Sequence, residues 1–108
     1  MTEMLSNPRE FSTLVQRYFV ERLIQQKNAS PRTIAAYRDT FRLLLQYREQ
    51  ECHKSTQSFT LKEFNAEFIL KFLDYIETKR KCSIRTRNAR LTALHSFARY
   101  VSLQCPQA

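Results

Sequence analysis

The chain has 108 residues, 43% of them hydrophobic, which suits one domain with one ordinary core. It has no glycine and three prolines, so positive φ is costly throughout, and tight turns, glycine-rich phosphate loops and β-sandwiches are disfavoured. A net charge of +8 with no membrane-length apolar run excludes a spanning protein and favours a polyanionic partner.

Four helices are legible. The first runs from about Pro8 to Gln26, where Phe11, Leu14, Val15, Tyr18 and Phe19 recur at three- and four-residue spacing. Lys27-Asn28-Ala29 is its exit. The second starts on Ser30, which can cap free backbone donors. Pro31 follows in the first turn, where its missing N–H costs nothing. Ile34, Tyr37, Phe41, Leu44 and Leu45 form its buried stripe, Ala35, Ala36 and Asp39 lie outside, and the helix fades by Glu51. Residues 52–64 are a polar connection anchored by Phe59, Leu61 and Phe64. Asn65 caps a third helix whose inner face is Phe68, Ile69, Phe72, Leu73 and Ile76.

Ser83 caps a fourth helix reaching about Leu103. Its core stripe is read as Leu91, Leu94, Ala98 and Val101, with Ile84 in line and His95 at the border. Ala89, Thr92, Ala93 and Ser96 form a small-residue outer side. The first two turns hold Arg85, Thr86, Arg87, Asn88 and Arg90 and almost nothing to bury. At about 100° per residue Arg87 falls on the stripe of Leu94 and Ala98. A guanidinium there implies that this helix end extends beyond the bundle. The fold class expected is all-α, a compact bundle of four helices, or five with one short extra turn. No internal repeat is evident.

Charge is unevenly placed. Residues 1–77 are nearly balanced, whereas residues 78–108 hold seven Lys or Arg and no acid. A solvated helix usually mixes signs. A folded, one-signed surface instead implies nucleic acid. Arg can read guanine edges and Asn adenine edges, while the helix N-terminus favours phosphate. On the second helix Arg32 and Thr33 occupy the first turn, with Ser30 and Thr33 equally suited to capping.

No nucleophile–base set is visible, and no cofactor or metal is expected. Cys52, Cys82 and Cys105 are odd in number and widely spaced, and they read as free thiols in a reducing, cytoplasmic setting. Tyr37 reads as core. Glu49, Glu51, Glu63 and Glu67 read as scattered solvent-side charges. The polar segment Met1 to Arg9 does not read as a signal peptide. Pro106 reads as the start of a connection to something else.

Three runs carry a resemblance. Ser30 to Tyr47 (SPRTIAAYRDTFRLLLQY), Phe59 to Glu77 (FTLKEFNAEFILKFLDYIE) and Ser83 to Val101 (SIRTRNARLTALHSFARYV) resemble successive segments of the core-binding domain of tyrosine recombinases, the phage-integrase-like family. The likeness covers about residues 11–103. It implies a SAM-like helical domain forming one half of a clamp around double-stranded DNA, opposite a C-terminal catalytic domain in the parent protein. By position it implies DNA contacts at Arg32, Thr33, Ala36, Arg85, Thr86, Ala89 and Arg90. Arg87 and Asn88 join them on geometry, and Lys81 and Ser83 complete the set. The family's catalytic arginine, lysine, histidines and tyrosine nucleophile have no counterparts here, so this stretch is expected not to be an enzyme by itself. The resemblance further implies a homotetrameric parent on DNA, a monomeric isolated domain, a bacterial cytoplasmic, nucleoid-associated setting, and roles in integration, recombination or transposition. The Arg-Asn-Ala-Arg-Leu run resembles recombinases of transposons and insertion elements more than the chromosome-dimer-resolving kind. Two alternatives stand beside this: a stand-alone helix-turn-helix-like regulator, and a helical protein-interaction module.

Overall fold

The computed structural model describes residues 7–104. The expectations placed on Cys105, Pro106 and most of the N-terminal segment lie outside those residues. Helix α1 starts at Pro8, and Asn7 caps it by accepting the Arg9 N–H at 3.0 Å. It runs as an α-helix over Pro8–Arg17 and continues in the wider π-helical form over Tyr18–Gln26. Helix α2 is Pro31–Gln50, a single 3-10 turn spans Thr56–Ser58, α3 is Ala66–Thr78 and α4 is Ile84–Gln104. No strand occurs among the described residues, and the fold is an all-α SAM-like bundle.

The other three starts likewise follow from side chains that satisfy helix N-terminal donors. Ser30 accepts the Thr33 N–H at 3.1 Å, Asn65 accepts the Phe68 N–H at 2.9 Å, and Ser83 accepts the Thr86 N–H at 3.1 Å. No helix among the described residues is long and apolar enough to cross a membrane.

The core converges on Phe97 of α4. Its ring meets Phe11 and Tyr18 of α1 at centroid distances of 5.9 and 5.5 Å, Phe41 of α2 at 5.2 Å and Phe64 of the connection at 5.4 Å. Tilted and edge-on pairs of this kind add to the area they bury. Tyr47 of α2 meets Phe68, Phe72 and Tyr75 of α3 at 5.0–5.8 Å. The middle of α4 is therefore held by α1, α2 and the connection, and its position is fixed.

Helix α4 differs from the sequence reading in its buried face, its outer side and its two flanking residues, Ile84 and His95. Its buried face is Ala93, Leu94, Phe97, Tyr100 and Val101, one step around from the expected stripe. Ala93 is fully buried, and the Tyr18 hydroxyl donates to Ser96 Oγ at 2.6 Å, so α1 covers part of the side expected to be open. Ile84 is 69% exposed and does not join the core, and His95 is exposed rather than at its border. The small Ser96 of α4 leaves room for the Tyr18 ring of α1.

Without glycine, three helices still end on left-handed residues. Asn28, His53 and Lys81 have φ of 47°, 56° and 53°. The next N–H in each case turns back onto the helix: Ala29 to the Leu23 carbonyl at 2.8 Å, Lys54 to Arg48 at 3.2 Å and Cys82 to Ile76 at 3.1 Å. Positive φ is thus used despite its cost, because it recovers orphan carbonyls. Lys81→Gly is accordingly expected to raise stability by about 1 kcal/mol, roughly 4–8 °C in melting temperature. A melt monitored by circular dichroism checks this, and an unchanged or lower midpoint contradicts it.

Candidate nucleic-acid interface

The starts of α2 and α4 are built alike. Ser30-Pro31-Arg32-Thr33 and Ser83-Ile84-Arg85-Thr86 share the pattern Ser-x-Arg-Thr. In each, the serine Oγ accepts the threonine N–H and donates to the threonine Oγ1, all four contacts at 3.1 Å. Both serines and threonines are therefore caps, which leaves the two arginines turned outward. Arg32 and Arg85 are exposed and have no ion pair among the described residues. The two tetrads lie 53 positions apart.

Helices α2 and α4 meet a short way beyond their starts. Arg90 Nη1 donates to the Ala36 carbonyl at 3.0 Å and to Thr40 Oγ1 at 3.0 Å, and Nη2 donates to Asp39 Oδ2 at 2.9 Å. Arg32 lies about 6 Å of helix rise before Ala36, and Arg85 about 7.5 Å before Arg90. Ala36, Asn88 and Ala89 are exposed beside them. Thr86, Asp39, Arg42, Arg80, Cys82 and Arg90 line a concavity of about 230 Å³ where α2, the end of α3 and the start of α4 converge. Arg42, an exposed residue of α2, was not singled out in the sequence, and Arg80, in the bend after α3, entered only as part of the basic C-terminal third.

Of the arginines expected to be free at the start of α4, Arg85 is exposed with no ion pair among the described residues, and two others are paired. Arg87 Nε pairs with Glu77 Oε1 at 2.7 Å, and Arg87 is 28% exposed. Arg90 pairs with Asp39 and is 18% exposed. The acids come from the end of α3 and the middle of α2, outside the acid-free stretch that made the C-terminal third look unopposed. Among the cations at this end, Arg32, Lys79, Arg80, Lys81 and Arg85 keep no ion pair among the described residues. Lys81 is exposed on the left-handed turn directly before α4.

Asp39 carries two arginines. Its hydrogen bond from Arg42, with the charges of Arg42 and Arg90, holds its carboxyl below the usual aspartate range against some opposing desolvation. It is ionised at any pH near neutral.

A second polar cluster lies away from this face. Arg48 of α2 is 3% exposed, and it donates to the Ser55 carbonyl at 2.8 Å, Ser58 Oγ at 3.0 Å and Glu63 Oε2 at 3.2 Å. Its guanidinium carbon sits 4.6 Å from the Phe59 ring centroid. Glu63 is therefore a partner of a buried cation, not a scattered surface charge. Burial alone would push its carboxyl up, but Arg48 and Thr60 hold it below the usual range. No group of three or more His, Cys, Asp or Glu able to hold a metal ion occurs among the described residues.

The model of the phage integrase SAM-like domain matches residues 14–100, across all four helices. The chain belongs to the phage integrase SAM-like domain family. Among curated proteins, this SAM-like domain is 45% identical over 94 residues to "Putative integrase/recombinase y4rC" of Sinorhizobium fredii (strain NBRC 101917 / NGR234), covering 87% of the chain and 28% of that protein. It is 42% identical over 93 residues to "Putative integrase/recombinase y4rD" of the same organism, covering 86% of the chain and 33% of that protein. The chain thus spans about a third of the length of these relatives. No solved structure matches it.

Proposed function

We infer that this domain grips double-stranded DNA through the first turns of α2 and α4, as the N-terminal clamp of a tyrosine-type recombinase. The carrying observation is the pair of like-built helix starts beside one crossing, each offering an exposed arginine with no ion pair among the described residues. Membership of the integrase family and the integrase/recombinase names of two relatives support the reading. Arg32, Arg85 and Lys81 take phosphates or guanine edges. Asn88 faces base edges. Thr33, Ser83 and Thr86 hold the helix ends that attract phosphate, and Ala36 and Ala89 leave room for a DNA strand to approach. Arg87 and Arg90, with carboxylate partners on neighbouring helices, hold the face together behind these contacts.

In a protein of the relatives' length, strand cleavage and joining would come from residues beyond this domain. The domain alone would be a non-catalytic, monomeric DNA-binding unit, and the full recombinase a tetramer on two sites in the bacterial cytoplasm.

The test is duplex binding by fluorescence anisotropy across a salt series. If Arg32, Lys79, Arg80, Lys81 and Arg85 each neutralise one phosphate, log K falls against log salt with a slope of about −4.5. Absence of binding at about 50 mM salt, or binding indifferent to salt, overturns the reading.

A further inference from the structure

We propose that Arg90 is a positioning residue that locks α2 against α4, and that it makes no phosphate contact of its own. The proposal rests on the DNA-binding reading above. Its basis is the way one guanidinium spans a whole turn of the neighbouring helix. Nη1 donates to both the Ala36 carbonyl and Thr40 Oγ1, and Nη2 donates to Asp39 Oδ2. Those three acceptors are a carbonyl, a hydroxyl and a carboxylate, one turn of α2 presented edge-on. Thr40 is itself tied to the same carbonyl, its hydroxyl donating to Ala36 O at 3.1 Å, and it is buried. Ala36 has no side chain beyond Cβ, so the guanidinium can reach the backbone.

The fork geometry matters. A guanidinium is planar and offers donors in two directions at once, whereas a lysine ammonium is a point charge on a flexible stem. Only arginine can hold Asp39 and the Ala36–Thr40 pair together. Asp39 in turn holds Arg42, so removing its carboxylate takes the charged partner from two arginines. The consequence for recognition is geometric. The helix starts carrying Arg32 and Arg85 lie just before this latch, and a change in the α2–α4 crossing angle moves them relative to each other. Two contacts that must meet one rigid duplex at once are lost together when that spacing drifts.

Simple electrostatics and the latch predict opposite signs for one variant. Asp39→Asn adds a unit of positive charge to the basic face, which by charge alone tightens DNA binding. With the latch, it weakens binding. The experiment compares wild type, Arg90→Lys, Asp39→Asn and, as a phosphate-contact control, Arg32→Ala. Duplex affinity is measured across a salt series, well below each variant's melting temperature. Backbone amide residual dipolar couplings of α2 and α4 are measured without DNA.

The expected result has three parts. Arg90→Lys and Asp39→Asn each lose about tenfold in affinity, with the salt slope of wild type. Arg32→Ala loses affinity with a slope shallower by about one. The couplings of both helices fit one alignment tensor and the wild-type coordinates in wild type and Arg32→Ala, but not in Arg90→Lys. Wild-type affinity in Arg90→Lys, or tighter binding by Asp39→Asn, overturns the proposal, as does an unchanged helix geometry in Arg90→Lys. Altered couplings in Arg90→Lys with no DNA binding by wild type would leave the latch standing and overturn the DNA-binding reading.

Discussion

Arg48→Ala is expected to cost the domain about 3 kcal/mol of folding stability, the largest single-residue loss outside the aromatic core. Arg48 is almost wholly buried, and it is the shared partner of the Ser55 carbonyl, Ser58 and Glu63. Truncation leaves that carbonyl with the Ser58 hydroxyl as its remaining donor and strips the cation from the Phe59 ring. Glu63 stays partly exposed and can rehydrate, which keeps the loss at the low end for a broken buried pair. Since Phe59 and Phe64 pack against Phe11, loosening the connection reaches the core directly. Urea unfolding followed by circular dichroism measures the effect. A loss below about 1 kcal/mol would show that the connection is held by its apolar anchors alone.

The double variant Arg32→Ala with Arg85→Ala is expected to lower duplex affinity about a hundredfold, each side chain contributing on the order of 1–3 kcal/mol. Neither arginine has an intramolecular ion pair among the described residues, so neither holds the fold together. Stability should stay within about 0.5 kcal/mol of wild type. Arg87 provides the contrast. Its pairing with Glu77 links α3 to α4, and truncating it should leave the salt slope of binding unchanged. Anisotropy on one duplex, with melting curves for all variants, checks both statements. Full affinity in the double variant contradicts them.

The fold was legible in the sequence because its signals are local. A serine or asparagine cap, a proline in the first turn and apolar spacing of three and four residues are properties of single segments, and Ser30, Asn65 and Ser83 all cap where expected. The partners of charged side chains are not local. Arg90 finds Asp39 51 positions away, and Arg48 reaches Glu63 across a 15-residue separation. Counting acids within the last third of the chain could not reveal that α2 and α3 lend theirs to α4. The same limit explains Ser96, which meets the Tyr18 hydroxyl of α1. The left-handed helix ends at Asn28, His53 and Lys81 were hidden for a different reason. Glycine is the usual sign of that conformation, and this chain reaches it without one.

The most direct measurement is a titration of the isotopically labelled domain with duplex DNA, followed by amide chemical shifts. The largest changes should fall together on residues 30–36 and 81–89, the first turns of α2 and α4 and the turn before α4. Changes centred instead on α1 or on the Arg48 cluster, with those two helix starts undisturbed, would contradict the account.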